Sequence, residues 1–219
     1  MFEILSDGNN LNRILYGLFV SIKISFISII LSFIFGIIFG ILMTSKNIFV
    51  RLFFKFYLES IRIVPILVWL FLVFFGLSSI VNLSSFASAI IVFVAWGSIE
   101  MADLVRGSIL NLPKHQVESA RALGMQEMAI NRYIILPQIV AQILPLSINL
   151  ASRIIKTTSL APLIGVVEVL KTGQQIIEAS ILKIPDAPFY IYGLIFILYF
   201  IACYPLSLLS SYLEKKFRY

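Results

Sequence analysis

The sequence predicts an all-helical integral membrane protein with five transmembrane helices, and three observations carry that reading. First, 60% of the 219 residues are hydrophobic and the mean hydropathy is +1.00, against roughly 45–50% apolar residues in soluble domains. Second, five stretches are predominantly apolar over the ~20 residues needed to cross a hydrocarbon core. They are 14–43, 52–77, 86–110, 138–165 and 189–212. Third, the basic residues gather at alternate ends of these stretches, as cytoplasmic loops require.

The N-terminal MFEILSDGNN is acidic, and the apolar stretch after it exceeds a signal-peptide core, so no signal peptide is expected. The first span is long enough to tilt. It carries Ser32, Gly36 and Gly40 at four-residue spacing, a pattern that permits close helix contact and is also common in generic membrane packing. Lys23, inside this span, is expected to reach its ammonium to the interface. Lys46, Arg51, Lys55 and Arg62 flank the start of the second span. Arg106, Lys114, Arg121 and Arg132 lie between the third and fourth, and Lys215, Lys216 and Arg218 close the chain. These groups hold 11 of the 17 basic residues. The positive-inside rule then places the N-terminus, with Glu3 and Asp7, outside and the C-terminus inside, and an odd number of spans agrees. Residues 166–188 mix valines, leucines and isoleucines with charge and read as an amphipathic outer-face helix that Pro185 and Pro188 end. With no internal repeat or low-complexity linker, residues 1–219 read as a single transmembrane domain.

The net charge of +6 sits beside apolar spans, so it points to membrane surface rather than nucleic acid. One Cys (Cys203) and one His (His115), distant in sequence, offer neither a disulfide nor a His/Cys metal site.

Residues 113–137 form a polar island that cannot cross a membrane. Pro113 suits a helix start. A short helix follows to Leu123, Gly124 permits the left-handed turn that ends it, a second helix covers about 125–136, and Pro137 marks the boundary with the fourth span. A charged helix-turn-helix between two spans is most simply a docking element for a soluble partner.

Glu118, Ser119, Ala120, Gly124, Ile134, Leu136 and Pro137 resemble the EAA loop of ABC-importer permeases: E-A-A, three residues, G, nine residues, I-x-L-P. Ser119 stands in place of the first Ala and is equally small. Further motifs are similar to the polar amino acid branch of that family. They are Glu59, Arg62 and Pro65 (with Val64 where the branch has Thr), Asp103, Arg106 and Gly107 (Asp for Glu), Pro113 and Gln116 before Glu118, and Asn149, Lys156, Thr158, Ser159 and Leu160 (with Thr157 for Asp), then Gly165, Glu168 and Leu170. The resemblance spans roughly residues 14 to 212. It implies a type I ABC importer-like bundle in the bacterial cytoplasmic (inner) membrane. Its partners would be a cytoplasmic ABC ATPase, a second permease copy or homologue, and an extracytoplasmic solute-binding protein. The cargo would be a small polar solute, foremost an amino acid. The short helix at Glu118 would be the ATPase-coupling helix. This chain would bind no cofactor, ATP and Mg being held by the partner ATPase, and it has no G-x-x-x-x-G-K-[ST] loop of its own.

Ionisable groups at membrane depth are costly and need a reason. Glu100 lies near the middle of the third span and Arg153 near the middle of the fourth, with Lys156 one turn further on. One reading is an internal ion pair between the two helices. The other is a substrate pathway in which Glu100 and Arg153 or Lys156 take the two charges of an amino acid, with Thr157, Thr158 and Ser159 adding hydroxyls. Asp103 and Arg106, at i and i+3, can pair along one helix, and with Glu59, Arg62 and Pro65 they form a candidate gate or structural group. A self-sufficient secondary transporter or channel remains the alternative function. It would predict a longer chain with inverted repeats. A membrane-embedded enzyme would require clustered His, Asp or Cys ligands near an interface.

Overall fold

The computed structural model describes residues 2–77 and 80–217, with side chains from Ile4 onward. Arg218 and the Glu3 side chain, both counted in the charge pattern, lie outside the described set. All regular structure in that set is helical. The principal helices are α1 (Asn10–Met43), α2 (Ile48–Ile63), α3 (Ile66–Phe71), α4 (Ser85–Leu110), α5 (Lys114–Ala122), α6 (Leu136–Thr157), α7 (Val169–Ser180) and α8 (Ala187–Lys216). Four helical runs are long and apolar enough to cross a membrane: Ile4–Met43, Ser85–Leu110, Glu127–Ile164 and Ala187–Lys216.

The fifth expected span, 52–77, is not one helix. It is broken into Ile48–Ile63 and Ile66–Gly76, inclined at 102° to each other. Proline forces its predecessor away from helical ψ and supplies no N–H of its own. Val64 accordingly sits at ψ 126° and Pro65 at ψ 137°. Two consecutive extended residues turn the chain, and α3 restarts at Ile66, running on into the π-turn Leu72–Gly76.

Two other boundaries differ from expectation. Pro137 does not end the island's second helix. Glu127–Ile130 runs through a π-turn, Asn131–Ile135, directly into α6. The π-turn shifts the hydrogen-bond register by one residue just before a residue that has no N–H to give. The amphipathic segment does form a helix, α7, but it ends at Ser180, ahead of both prolines. Pro188 instead lies in the first turn of α8, where a missing N–H costs nothing.

The bundle is organised around α1. Gly17, Ser21, Ser25, Ser28, Ser32, Gly36 and Gly40 recur every three or four residues along it, and all are buried. Lipid is as apolar as leucine, so membrane helices gain from close van der Waals packing, which small residues allow. A Cβ added to Gly36 would collide with Met101, one on Gly40 with Val105, and one on Gly97 of α4 with Ser32. These contacts fix the register of α4 against α1. On the other side of α1, Gly17 admits Val169 and Thr172 at the start of α7.

Glu168 locks that second junction. It is 0% exposed. As N-cap of α7 it accepts the N–H groups of Leu170 and Lys171 at 2.7 and 2.9 Å. Its other oxygen accepts the hydroxyls of Ser21 from α1 at 2.9 Å and Tyr199 from α8 at 3.2 Å. One carboxyl therefore joins three helices. Burial pushes this carboxyl above its usual range, and the donors pull it partly back.

Two predictions follow from these junctions. Gly36→Leu should destabilise the chain by about 1–3 kcal/mol through overpacking, lowering its melting temperature in detergent; an unchanged value would mean α1 and α4 are not in this contact. Because the folded Glu168 keeps its proton to higher pH than the unfolded chain does, its titration lowers stability as pH rises through that interval. Glu168→Gln keeps the acceptor oxygen and should flatten that slope, whereas Glu168→Ala should cost about 1–2 kcal/mol as a lost cap. A Gln variant with a wild-type pH slope in thermal melts contradicts this assignment.

Candidate functional site

Beside the C-terminal half of α4, helices α2, α4 and α6 meet in a network of five charged side chains. Arg62, the next-to-last residue of α2, donates from Nε to Glu100 Oε1 at 2.9 Å and from Nη2 to Asp103 Oδ2 at 2.8 Å. Arg106 reaches Asp103 Oδ1 at 2.6 Å along α4. Arg153 of α6 lies 3.3 Å from Glu100 Oε2, with its guanidinium 5.1 Å from the centre of the Trp96 ring. The two carboxylates are 12% and 20% exposed and the three arginines 36–54%. The acids thus form an inner layer on α4, bridged by outward-facing cations from three helices.

The expected pairs Glu100–Arg153 and Asp103–Arg106 are both present, and Arg62 joins them into one chain. Position explains why. The break at Pro65 ends α2 beside the middle of α4, and Tyr57 holds it there by donating to the Ala95 carbonyl at 2.8 Å. Glu59, three residues before Arg62, is exposed and makes no ion pair among the described residues.

The other pathway candidates do not join this network. Lys156 faces a separate recess beside α8, with Phe196, Tyr199 and Cys203. The hydroxyls of Thr157, Thr158 and Ser159 each donate back to a carbonyl of their own helix, at 2.8 Å. Asp103 also borders an open cleft of about 690 Å³ between α4, α6 and α8, lined by Gly107, Asn111, Gln142 and Glu214. No group of three His, Cys, Asp or Glu side chains able to hold a metal occurs among the described residues.

The island is sharply built. Pro113 precedes α5, which ends in a Schellman closure: the Gly124 N–H bonds to the Arg121 carbonyl at 2.9 Å and the Met125 N–H to the Ala120 carbonyl at 3.1 Å. Gly124 sits at φ +78°, a left-handed conformation that disfavours side chains. Arg121 clamps the turn by binding Glu127 at 2.6 Å, and the guanidinium holds that carboxyl below the usual range. Gln138 donates to Gln116 at 2.7 Å and so braces α5 against α6. Ala120 is buried, Glu118 and Ser119 are exposed, Ile134 is half-buried in the π-turn, and Leu136 and Pro137 are exposed. Leu123, Met128 and Tyr133 are 83%, 78% and 68% exposed, the first in the turn after α5 and the other two at the start of the run into α6.

Sequence reasoning did not single out Glu168 as a junction or Arg62 as the bridge between two carboxylates. Glu168 had a signal, an acidic side chain immediately before an amphipathic run. For Arg62 only the structure gives the distance to α4.

Several helices long enough to cross a membrane, an ion network joining two of them to α2, and a short polar helix between two of them fit the membrane component of a transporter. The chain belongs to the family of binding-protein-dependent transport system inner membrane components, whose model matches residues 32–219. It is a multi-pass inner membrane permease rather than an enzyme. It is 31% identical over 203 residues to a probable glutamine ABC transporter permease of Bacillus subtilis, covering 91% of each chain. It is 33% identical to an L-cystine transport system permease of the same organism, over 85% of this chain and 80% of that one. With the glutamate transport system permease of Corynebacterium glutamicum the identity is 32%, over 94% and 75%. Among solved structures, an amino acid ABC transporter superposes with a TM-score of 0.85 at 26% identity, covering 97% of this chain and 98% of that one. A methionine ABC transporter in an inward-facing conformation shares the fold at a TM-score of 0.72 and 16% identity, over 97% and 100%.

The network yields a ranking. Arg62→Ala leaves two carboxylates short of a cation and should destabilise the chain by about 1–3 kcal/mol. Arg153→Ala loses one longer contact and should cost less. Thermal melts of the two variants in one detergent test the order, and the reverse order would contradict Arg62 as the bridge.

Proposed function

We propose that this chain is the permease of an ATP-driven importer for an amino acid, with α5 as the helix that couples it to a cytoplasmic ABC ATPase. The observation that carries the coupling is the island itself. It exposes Leu123 at the turn, outside the spans, with Met128 and Tyr133 at the start of the run that leads into α6, and exposed apolar side chains on a polar segment mark an interaction surface. The residues Glu118, Ser119, Ala120, Gly124, Ile134, Leu136 and Pro137 supply the surface, the turn and the exit into α6. The relatives named for glutamine, glutamate and cystine support an amino acid as cargo.

In this reading ATP and Mg are bound by the partner ATPase, and closure of the ATPase dimer pushes on α5. The Arg121–Glu127 clamp and the Gln116–Gln138 brace pass the push to α6. Helix α6 carries Arg153, so movement of α6 pulls on the Glu100–Arg62–Asp103–Arg106 network. That network acts as a lock between α2, α4 and α6, closed in one state of alternating access and opened in the other. Substrate passes beside the lock, where Glu100 and Arg153 are able to meet its ammonium and carboxylate groups in turn. Lys156, Thr157, Thr158 and Ser159 bear on the pathway only after a rearrangement of α6.

The membrane topology we infer has the N-terminus outside, the C-terminus and residues 113–137 inside, and the whole chain as one transmembrane domain. Its bundle is completed by a second permease, identical or homologous, and it takes substrate from an extracytoplasmic solute-binding protein.

Gly124→Val forces a β-branched residue into a left-handed turn, at a cost of about 1–2 kcal/mol or more. The variant should insert normally yet lose coupling, with uptake per ATP hydrolysed falling about tenfold in proteoliposomes. Leu123→Asp should release the ATPase on co-purification without lowering the melting temperature of the permease. Coupled uptake at the wild-type ratio by Gly124→Val would overturn α5 as the coupling helix.

A further inference from the structure

A second charged site lies beside the lock and shares two arginines with it. Arg51, Lys55 and Arg62 of α2 and Arg106 of α4 line one recess of about 400 Å³, together with a single carboxylate, Glu59. Met43 and Leu58 give it an apolar floor. Two unpaired cations, and two more shared with the ion network, therefore face one acid.

The cations are available. Arg51 and Lys55 are exposed and make no ion pair among the described residues. Arg62 binds Glu100 and Asp103, and Arg106 binds Asp103, through Nε and Nη2, and neither Nη1 has a partner among the described residues. Residues 51, 55, 59 and 62 are one helical turn apart in succession, so they form a stripe along α2. Met43 is the last residue of the first span, and Arg106 lies near the end of α4. The recess therefore sits at the level where a bilayer carries its headgroups, on whichever side of the membrane this end faces. Beside the stripe, α2 exposes Phe49, Leu52, Phe53 and Phe56, at 78%, 64% and 75% for the three aromatic residues. These side chains suit an acyl chain as the stripe suits a phosphate.

We propose that this recess binds the headgroup phosphate of an anionic phospholipid, with Arg51 and Lys55 as its principal contacts and the phenylalanines of α2 against the lipid tail. Basic pockets between membrane helices take anionic headgroups by charge, and guanidinium groups match phosphate oxygens in fork geometry. A zwitterionic lipid offers the same phosphate but brings a quaternary or primary ammonium into a cluster of four cations. The site shares Arg62 and Arg106 with the ion network, so a bound headgroup touches the lock directly.

The test is native mass spectrometry of the purified full-length chain in detergent, titrated separately with phosphatidylglycerol, phosphatidylcholine and inorganic phosphate. The wild type should retain one phosphatidylglycerol per chain in preference to phosphatidylcholine. Arg51→Gln with Lys55→Gln should weaken that binding about twentyfold, each cation being worth roughly a factor of five near a charged surface. Lys215→Gln with Lys216→Gln, at the end of α8, should leave it unchanged. Glu59→Gln removes the only carboxylate in the recess and should tighten binding, which keeps the proposal testable if the double variant folds poorly. Equal affinity for the two lipids, unchanged binding in the Arg51/Lys55 variant, or equal loss in the Lys215/Lys216 variant would overturn the site. Displacement of phosphatidylglycerol by millimolar phosphate would overturn the lipid assignment in favour of a soluble anion. None of these outcomes depends on the ATPase or on the transported solute.

Discussion

Everything in this bundle depends on how closely α1 approaches α4. In lipid no hydrophobic gain drives two helices together, so their separation is set by what their facing side chains permit. The glycines at 36, 40 and 97 and the serines along α1 bring the two backbones near enough that added Cβ atoms would collide. That contact fixes the rotation of α4, and the rotation decides where Glu100 and Asp103 point. A looser α1–α4 seam would let α4 turn, and two acids now held at 12% and 20% exposure would face lipid or lose their arginines.

The break at Pro65 is the second constraint, and it acts on the first. A continuous helix through 52–77 would carry Arg62 along the bundle without stopping beside α4. The two extended residues Val64 and Pro65 end α2 instead, so that Arg62 bridges Glu100 and Asp103 at hydrogen-bond distance. Three arginines and two carboxylates then neutralise most of one another's charge, which is how ionisable groups at this depth persist. Three arginines remain 36–54% exposed on the outer side of this layer, which is consistent with a contact that opens rather than one sealed in a core.

Much of this was legible in the sequence, because the informative patterns are local. Glu118 to Pro137 could be read residue by residue: the Gly124 turn falls where the spacing puts it, and α5 has the expected length. Opposite charges at 100 and 153 left a pair and a substrate pathway both open, and the helices bring the two side chains to 3.3 Å. What could not be read depends on three-dimensional register. Hydropathy counts apolar residues and is blind to direction, so the 102° bend inside 52–77 passed as one span although Pro65 was in plain view. Pro137 looked like a boundary because a π-turn that absorbs its missing N–H leaves no mark in composition. Lys156 lies three residues from Arg153, about 300° around a helix, and the remaining offset carries it toward α8 rather than Glu100. Glu168 needed three helices to converge before its role appeared.

In the proposed function, α5 and the turn at Gly124 join this chain to an ATPase. That role is tested most directly by purifying the chain from its native membrane in mild detergent and weighing the intact assembly by native mass spectrometry. Two permease subunits, identical or homologous, should be found bound to two ATPase subunits, with the ATPases lost when Leu123 is replaced by Asp. A permease that carries no ATPase under conditions that preserve other membrane complexes would contradict it.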